Sequence, residues 1–217
     1  IGHGTFDGTE YKINLPGRDL SGIELAQLCD RIPTKRQLVV NMTSASGASI
    51  AALQKPGRAL ITSTKSGTEK NAPVFARYWV EAFRDPAADA DKNEIITALE
   101  AFQFADAKTV AFYETQKRLA TEHAVIEDTG KGDPARTATT ENGQGRLAGS
   151  FSLLRFGQAQ QAASDPAKRA LMVKKEEIEQ QLDTLRYQKA AMSAAEYTAA
   201  FRKASLELAR INEELEK

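Results

Sequence analysis

Leu38-Val39-Val40-Asn41-Met42-Thr43-Ser44-Ala45-Ser46-Gly47 is the stretch on which the fold turns. A short β-branched run follows a basic turn and reads as a buried strand. It empties into a turn of small residues, whose main-chain N–H groups can come close to a ligand oxygen. A second run, Ala59-Leu60-Ile61-Thr62-Ser63-Thr64, is announced by Pro56-Gly57. Residues 48–54 between the two runs suffice for one or two helical turns. Upstream, Ser21 and Glu24 have the spacing of a capping box, and Ile23, Leu25, Leu28 and Ile32 supply a helical face. Downstream, Val74, Phe75, Tyr78, Trp79, Ala82 and Phe83 recur at helical spacing over residues 73–83. Strand, helix, strand, helix in this order predicts an α/β sheet with right-handed crossovers. Functional loops then lie at the C-terminal ends of the strands.

Composition sets the outer bounds. The 217 residues carry 29 basic and 29 acidic side chains, and 41% are apolar. This is an ordinary globular balance with enough chain for a real core. The balance argues against a general nucleic-acid binder, which needs a basic surplus. No apolar run reaches the roughly 18 residues of a membrane span. The single cysteine, Cys29, excludes an internal disulfide framework; it falls in the expected helix and reads as a small apolar packing residue. The chain opens Ile1-Gly2-His3-Gly4 at an apparent strand end, so further N-terminal strands are expected, and no targeting signal is visible.

Two strand-end loops can carry chemistry. In Gly2-His3-Gly4-Thr5 the imidazole is free of neighbouring bulk and suits a general base, since histidine titrates near neutrality. The other is the turn from Asn41 to Ala48. Taken in order, His3-Gly4, then Asp7 to Leu15, then Asp19-Leu20-Ser21-Gly22-Ile23-Glu24-Leu25, then Leu38 to Gly47, the chain resembles the caspase-fold cysteine peptidases, the legumain-like branch most closely. The resemblance covers residues 1–126. It implies a mostly parallel sheet flanked by helices, with a His-Gly ending one strand and an Ala-Cys-x-Ser-Gly type motif ending the next. His3 falls at the base and Ser44 at the nucleophile. Gly4, Thr43, Ser46, Gly47 and Ser66 fall around the oxyanion and substrate positions; Lys65, Glu69 and Lys70 are candidate rim groups, with exposed solvated charge the simpler reading.

The departure is Ser44 itself. A thiol yields some thiolate at neutral pH, and more beside a base. A serine hydroxyl needs a base oriented by a third group. The expectation is therefore a peptidase homologue without ordinary cysteine-peptidase activity, acting in peptide binding or as a scaffold. The alternatives are an active hydrolase using His3 and Ser44, and an interaction protein dominated by its C-terminal arm.

Residues 89–100 fit a twelve-residue EF-hand loop, because a hard cation needs several converging oxygens. Asp89, Asp91 and Asn93 take positions one, three and five, the Ile95 carbonyl seven, Thr97 nine and Glu100 twelve, with Ile96 as the apolar anchor. Helices are expected on both sides, the second from residue 97 to about 121. Glu94 stands where the motif has glycine, at a cost of about 1 kcal/mol, so any Ca²⁺ binding is expected to be weak. An acid-rich helix start is the simpler reading. Glu127 to Asp133 lacks a closing carboxylate and reads as a solvated loop. His123 reads as surface decoration near a helix end.

Residues 127–163 read as a flexible loop and connection, poor in large apolar groups up to residue 150. Residues 164–217 read as an antiparallel helical hairpin. Ser164-Asp165-Pro166 is a helix start. Leu171, Ile178, Leu185 and Met192 recur every seven residues, and Leu182 lies beside them. Ser193 and Glu196 then frame a second capping box, before the seam Tyr197, Phe201, Ala204, Leu208, Ile211 and Leu215. The hairpin either packs on the domain or serves as an oligomerisation or partner arm.

Overall fold

A computed structural model describes residues 1–215; residues 216 and 217, the end of the expected hairpin, lie outside the described residues. The chain opens with an antiparallel meander that the apolar pattern does not announce. It comprises β1 (Gly4–Phe6), β2 (Tyr11–Ile13) and β3 (Leu20–Ser21), with Gly4 opposite Ile13 and Lys12 opposite Ser21. Asp7 Oδ1 closes its first turn by accepting the Thr9 and Glu10 N–H groups, both at 2.8 Å. The meander feeds α1 (Gly22–Asp30) through the expected capping box. Glu24 N–H donates to Ser21 Oγ at 3.1 Å, and Ser21 N–H to Glu24 Oε2 at 3.0 Å.

β4 (Gln37–Asn41), α2 (Ile50–Leu53), β5 (Arg58–Thr62) and α3 (Phe75–Ala82) follow in the expected alternation. After them come β6 (Ile95–Thr97), α4 (Ala98–Thr115) and β7 (Val125–Glu127). The central sheet has the order β4-β5-β7, with β4 parallel and β7 antiparallel to β5. The protein is a mixed α/β fold with small sheets of mixed orientation. A mostly parallel sheet is not what forms: among the described residues β4 and β5 are the one parallel pair of strands. The reason is connectivity. The β4–β5 step is a helical crossover between parallel neighbours, the tight turns of the meander can join only antiparallel neighbours, and β7 returns antiparallel to β5 after α3 and α4.

Strand alternation places one set of side chains on each face of the central sheet. Ala59, Ile61 and Ile126 join Phe75, Trp79 and Phe102 of α3 and α4 in the larger core. Leu60 and Val125 turn the other way, onto Ile50 and Leu53, with Leu25, Cys29 and Val39 packed against them. The result is three layers, helix on sheet on helix. Cys29 takes its expected packing role.

α4 stops at Thr115, short of residue 121, because Lys117 adopts a left-handed φ of 51° where no glycine or proline marks a stop. Residues 127–163 are tied down. Asp128 accepts the Gly145 and Ala148 N–H groups, each at 2.9 Å, at the start of the single-turn α5 (Arg146–Gly149). Glu127 is fully buried, which excludes a solvated loop at that residue. β8 (Ser152–Arg155) pairs antiparallel with β6, and α6 (Gly157–Ser164) leads into the hairpin of α7 (Pro166–Gln188) and α8 (Ala194–Leu215).

The hairpin packs on the domain. Arg155 Nη2 reaches Glu176 Oε1 at 2.6 Å, Tyr187 Oη donates to the Gln144 carbonyl at 2.8 Å, and Met172 buries against Ile95 and Ala159. Its own seam buries Ile178, Leu182, Ala204 and Ile211. No helix among the described residues is long and apolar enough to cross a membrane.

Candidate functional site

The two loops singled out in the sequence meet. A parallel bridge joins Gly2 to Thr43 beyond the end of β4. One residue further on, Ser44 Oγ donates to the Gly4 carbonyl at 2.9 Å and accepts the Gly4 N–H at 3.3 Å. Residue 3 therefore runs beside residue 44. Its carbonyl is fixed by the Asn14 N–H at 3.0 Å, while its ring is exposed and has no hydrogen-bonding partner among the described residues. The Ser44 hydroxyl, 6% exposed, spends its proton on a backbone carbonyl and not on the imidazole.

Only glycine fits at residue 4. A Cβ there would lie 2.6 Å from both the Ser44 carbonyl oxygen and Thr43 Oγ1, and 2.9 Å from Tyr11 Oη. Beneath Ser44 sits a buried polar network. Tyr11 Oη meets Thr43 Oγ1 at 2.6 Å and accepts from Asn41 Nδ2 at 2.9 Å, and Asn41 Nδ2 also reaches Ser49 Oγ at 3.1 Å. Burial pushes the Tyr11 phenol above its ordinary range, so it stays protonated and able to donate. Sequence reading missed Tyr11, which local pattern shows only as an ordinary strand residue, and took in Asn41 only as the first residue of the loop.

After Ser44 the chain turns sharply. Ala45 has φ 56°, a left-handed conformation that costs a non-glycine residue about 1 kcal/mol. It is held there by its N–H, which donates to the Glu69 carbonyl at 2.8 Å. The residues expected around the oxyanion are largely committed elsewhere. Ser46 Oγ lies 3.1 Å from both Ser63 Oγ and Thr64 Oγ1, and Gly47 N–H already donates to Thr64 Oγ1 at 2.9 Å. Thr43 Oγ1 belongs to the Tyr11 network, and Ser66 Oγ pairs with Thr68 Oγ1 at 2.7 Å. The Ser46 and Gly47 bonds weld the Ser44 turn to the loop after β5.

Glu69 is not a free rim charge. Its carboxylate accepts the Lys65 N–H at 2.9 Å, the His123 N–H at 3.1 Å and His123 Nδ1. His123 lies beyond the end of α4 and is part of this pair, not surface decoration. The two residues are far apart in sequence, and no local signal joins them. Lys65 and Lys70 are exposed.

The second constellation is the acidic loop. One carboxylate oxygen each from Asp89, Asp91 and Glu100 lies within 4.8 Å of the others. Glu94 adopts φ 64°, the conformation the sixth position requires, without glycine. Asp89 accepts the Asn93 and Glu94 N–H groups at 3.1 and 3.0 Å, shaping the turn. Asn93 Oδ1 instead receives the Ile95 N–H at 2.8 Å. Thr97 and Glu100 form a capping box on α4, with Glu100 N–H to Thr97 Oγ1 at 3.2 Å and Thr97 N–H to Glu100 Oε2 at 3.0 Å. The Ile95 stretch pairs with β8, and Ile96 is buried as the anchor.

Helix α7 closes over this loop, leaving a cavity of about 230 Å³ lined by Asp91, Glu100, Glu176, Glu179, Asp183 and Arg186, among others. Partial burial, then the Glu100 carboxylate, raise the Asp91 carboxyl to about 6. Burial raises Glu179 to about 7, with Asp91 adding to the effect and Lys175 opposing it. The α7 acids have no counterpart in the sequence motif.

No family model, curated protein or solved structure matches the chain. Its chemistry rests on the geometry alone. The Ser44 site presents a hydroxyl locked to backbone and a neighbouring imidazole that has, among the described residues, no orienting partner of the kind serine chemistry needs.

Proposed function

We propose that residues 1–126 form a peptidase homologue of the caspase and legumain type, in which Ser44 stands at the nucleophile's place and the domain binds peptide or serves as a scaffold. One observation carries this reading: Ser44 Oγ donates to Gly4 O at 2.9 Å, which sets residue 44 beside the His3-Gly4 loop yet keeps its proton from the His3 ring. A thiol at residue 44 would supply what is missing, since a cysteine beside a base gives thiolate near neutral pH. The test is Ser44→Cys treated with peptidyl chloromethyl ketones. Labelling of that variant, lost on adding His3→Ala, is expected. If Ser44→Cys resists every such probe and the wild type binds no peptide, the reading fails. Hydrolysis by the wild type that disappears with His3→Ala would favour the active-hydrolase reading instead.

A second reading concerns Ca²⁺. Glu94 at φ 64° supports the EF-hand-like path of residues 89–100, with Asp89, Asp91 and Glu100 offering convergent oxygens. Calcium would act there as a brace between the loop and α4. A melting scan with millimolar Ca²⁺ against chelator tests it, and an unchanged midpoint removes the claim. Self-association through residues 164–217 is the remaining proposal for partners. It is read from the sedimentation mass of the full chain, and a monomer at all concentrations rejects it.

A further inference from the structure

A cleft of about 470 Å³ opens where the hairpin meets the domain. Its walls come from Arg36 just ahead of β4, from Arg146 and its neighbours around α5, and from Gln180 and Asp183 of α7. It is a separate space from the cavity over Asp91, although Asp183 borders both. Its size is that of a small-molecule site, which runs from about 300 to about 1,000 Å³. Leu147 is the single large apolar side chain in the lining, so the cleft is not built for an apolar ligand.

Two arginines line the cleft, and neither guanidinium is paired with a carboxylate among the described residues. Arg36 is set in place. It lies over the Phe151 ring, 5.7 Å from the centroid, and its Nη1 donates to Ser150 Oγ at 3.1 Å. Ser150 Oγ in turn donates to the Leu147 carbonyl at 2.7 Å. Nε and Nη2 of Arg36 have no partner among the described residues. Arg146, the first residue of α5, is exposed. The two acids of the lining are already answered. Asp128 accepts the Gly145 and Ala148 N–H groups, and Asp183 Oδ1 accepts from Arg186 Nη1 at 2.8 Å. The unanswered charge in the cleft is therefore positive.

One arginine fork satisfies a carboxylate, whereas a phosphate monoester offers three terminal oxygens and close to two charges, enough for two forks. A phosphate fills only part of the cleft. The rest is polar and suits hydroxyls, which can bond the Gln180 amide and the second Asp183 oxygen. We propose that this cleft binds a sugar phosphate, its phosphate held by Arg36 and Arg146 and its hydroxyls by Gln180 and Asp183 of α7. The ligand touches both the domain and the hairpin, so binding fastens one to the other. A bare phosphate ion uses the arginines but leaves the α7 wall unfilled. The inference is independent of Ser44 and of the acidic loop.

The test titrates the full chain with glucose 6-phosphate, inorganic phosphate and glucose, in about 0.15 M salt to screen loose charge attraction. The amide resonances of Gly143, Ser150 and Gln180 are followed by NMR. Glucose 6-phosphate is expected to shift all three along one saturating curve, inorganic phosphate to bind more weakly, and glucose to shift none. Arg146→Ala should weaken glucose 6-phosphate binding at least about tenfold, the loss expected from removing a charged hydrogen-bonding partner. Arg202→Ala, on α8 and outside the cleft lining, should leave it unchanged. The absence of a saturating shift with glucose 6-phosphate overturns the proposal, as does an equal loss in the two arginine variants. Inorganic phosphate binding as tightly as the ester overturns the assignment to a sugar phosphate.

Discussion

Asp91 of the acidic loop and Glu179 of α7 line the same small cavity, and both bind their protons more tightly than free carboxyls do. Unfolded, an aspartate titrates near about 3.9 and a glutamate near about 4.3. Here the values are about 6 and about 7. The folded state therefore holds more protons than the unfolded one across this window, so stability falls as pH rises from about 4 to about 7 and stays lower above it. Denaturant titrations at pH 5 and pH 8 are expected to show the protein more stable at pH 5. Glu179→Gln should stabilise the protein at pH 8, on the order of 1 kcal/mol after solvent screening, and flatten the profile. A profile that rises from pH 5 to pH 8 in the wild type would contradict this.

Cation binding and helix capping can be separated at Glu100. Glutamine also completes a capping box, so Glu100→Gln should keep the Thr97 cap and the start of α4. It removes a carboxylate from the Asp89, Asp91 and Glu100 group. Under the calcium reading, Ca²⁺ raises the melting midpoint of the wild type, by an increment that grows with concentration as RT ln(1 + [L]/Kd), and leaves Glu100→Gln unmoved. The same increment in both proteins would place the ion elsewhere.

Gly4→Ala tests how closely the His3 and Ser44 loops are fitted together. The new Cβ would meet a main-chain oxygen and Thr43 Oγ1, each 2.6 Å away, and backbone cannot step aside as a flexible side chain does. A destabilisation of about 1–3 kcal/mol is expected from urea unfolding. A neutral result would show that the two loops are looser in solution than the Ser44–Gly4 hydrogen bonds imply.

What the sequence reveals here is what local chemistry decides. The β4 run with its small-residue turn, the capping boxes at Ser21 and Ser193, and the seam of α7 and α8 each depend on residues a few positions apart, so their spacing carries the information. The antiparallel return of β7 and the early end of α4 do not. Lys117 takes a left-handed turn without glycine, and β7 reaches its place through contacts made only after folding. The site divides in the same way. His3 and Ser44 can be read as two loops flanking strands, although Gly4 opens β1 where the pattern had a strand end, and the acidic loop as a spaced motif. Glu69 with His123, Tyr11 with Thr43, and Glu179 over Asp91 join distant segments, and nothing in the residues next to them marks those pairings.

Tyr11 offers the sharpest check that the buried network positions Ser44. Tyr11→Phe keeps the ring and its packing but removes the oxygen that Thr43 Oγ1 meets at 2.6 Å and that accepts from Asn41 Nδ2 at 2.9 Å. Leaving such buried partners unsatisfied costs about 1–3 kcal/mol. Stability alone would not distinguish positioning from general support, so Tyr113→Phe serves as the control. Its hydroxyl bonds Thr121 and Glu122, outside the Tyr11 network, at 3.0 Å each. In the Ser44→Cys background both substitutions are expected to lower stability, but only Tyr11→Phe should slow labelling of residue 44 by a peptidyl electrophile. Because the Tyr11 phenol is held well above neutrality by burial, the difference between the two variants should not change between pH 6 and pH 8. Equal labelling rates in the two variants would show that the network supports the fold without setting the geometry at residue 44.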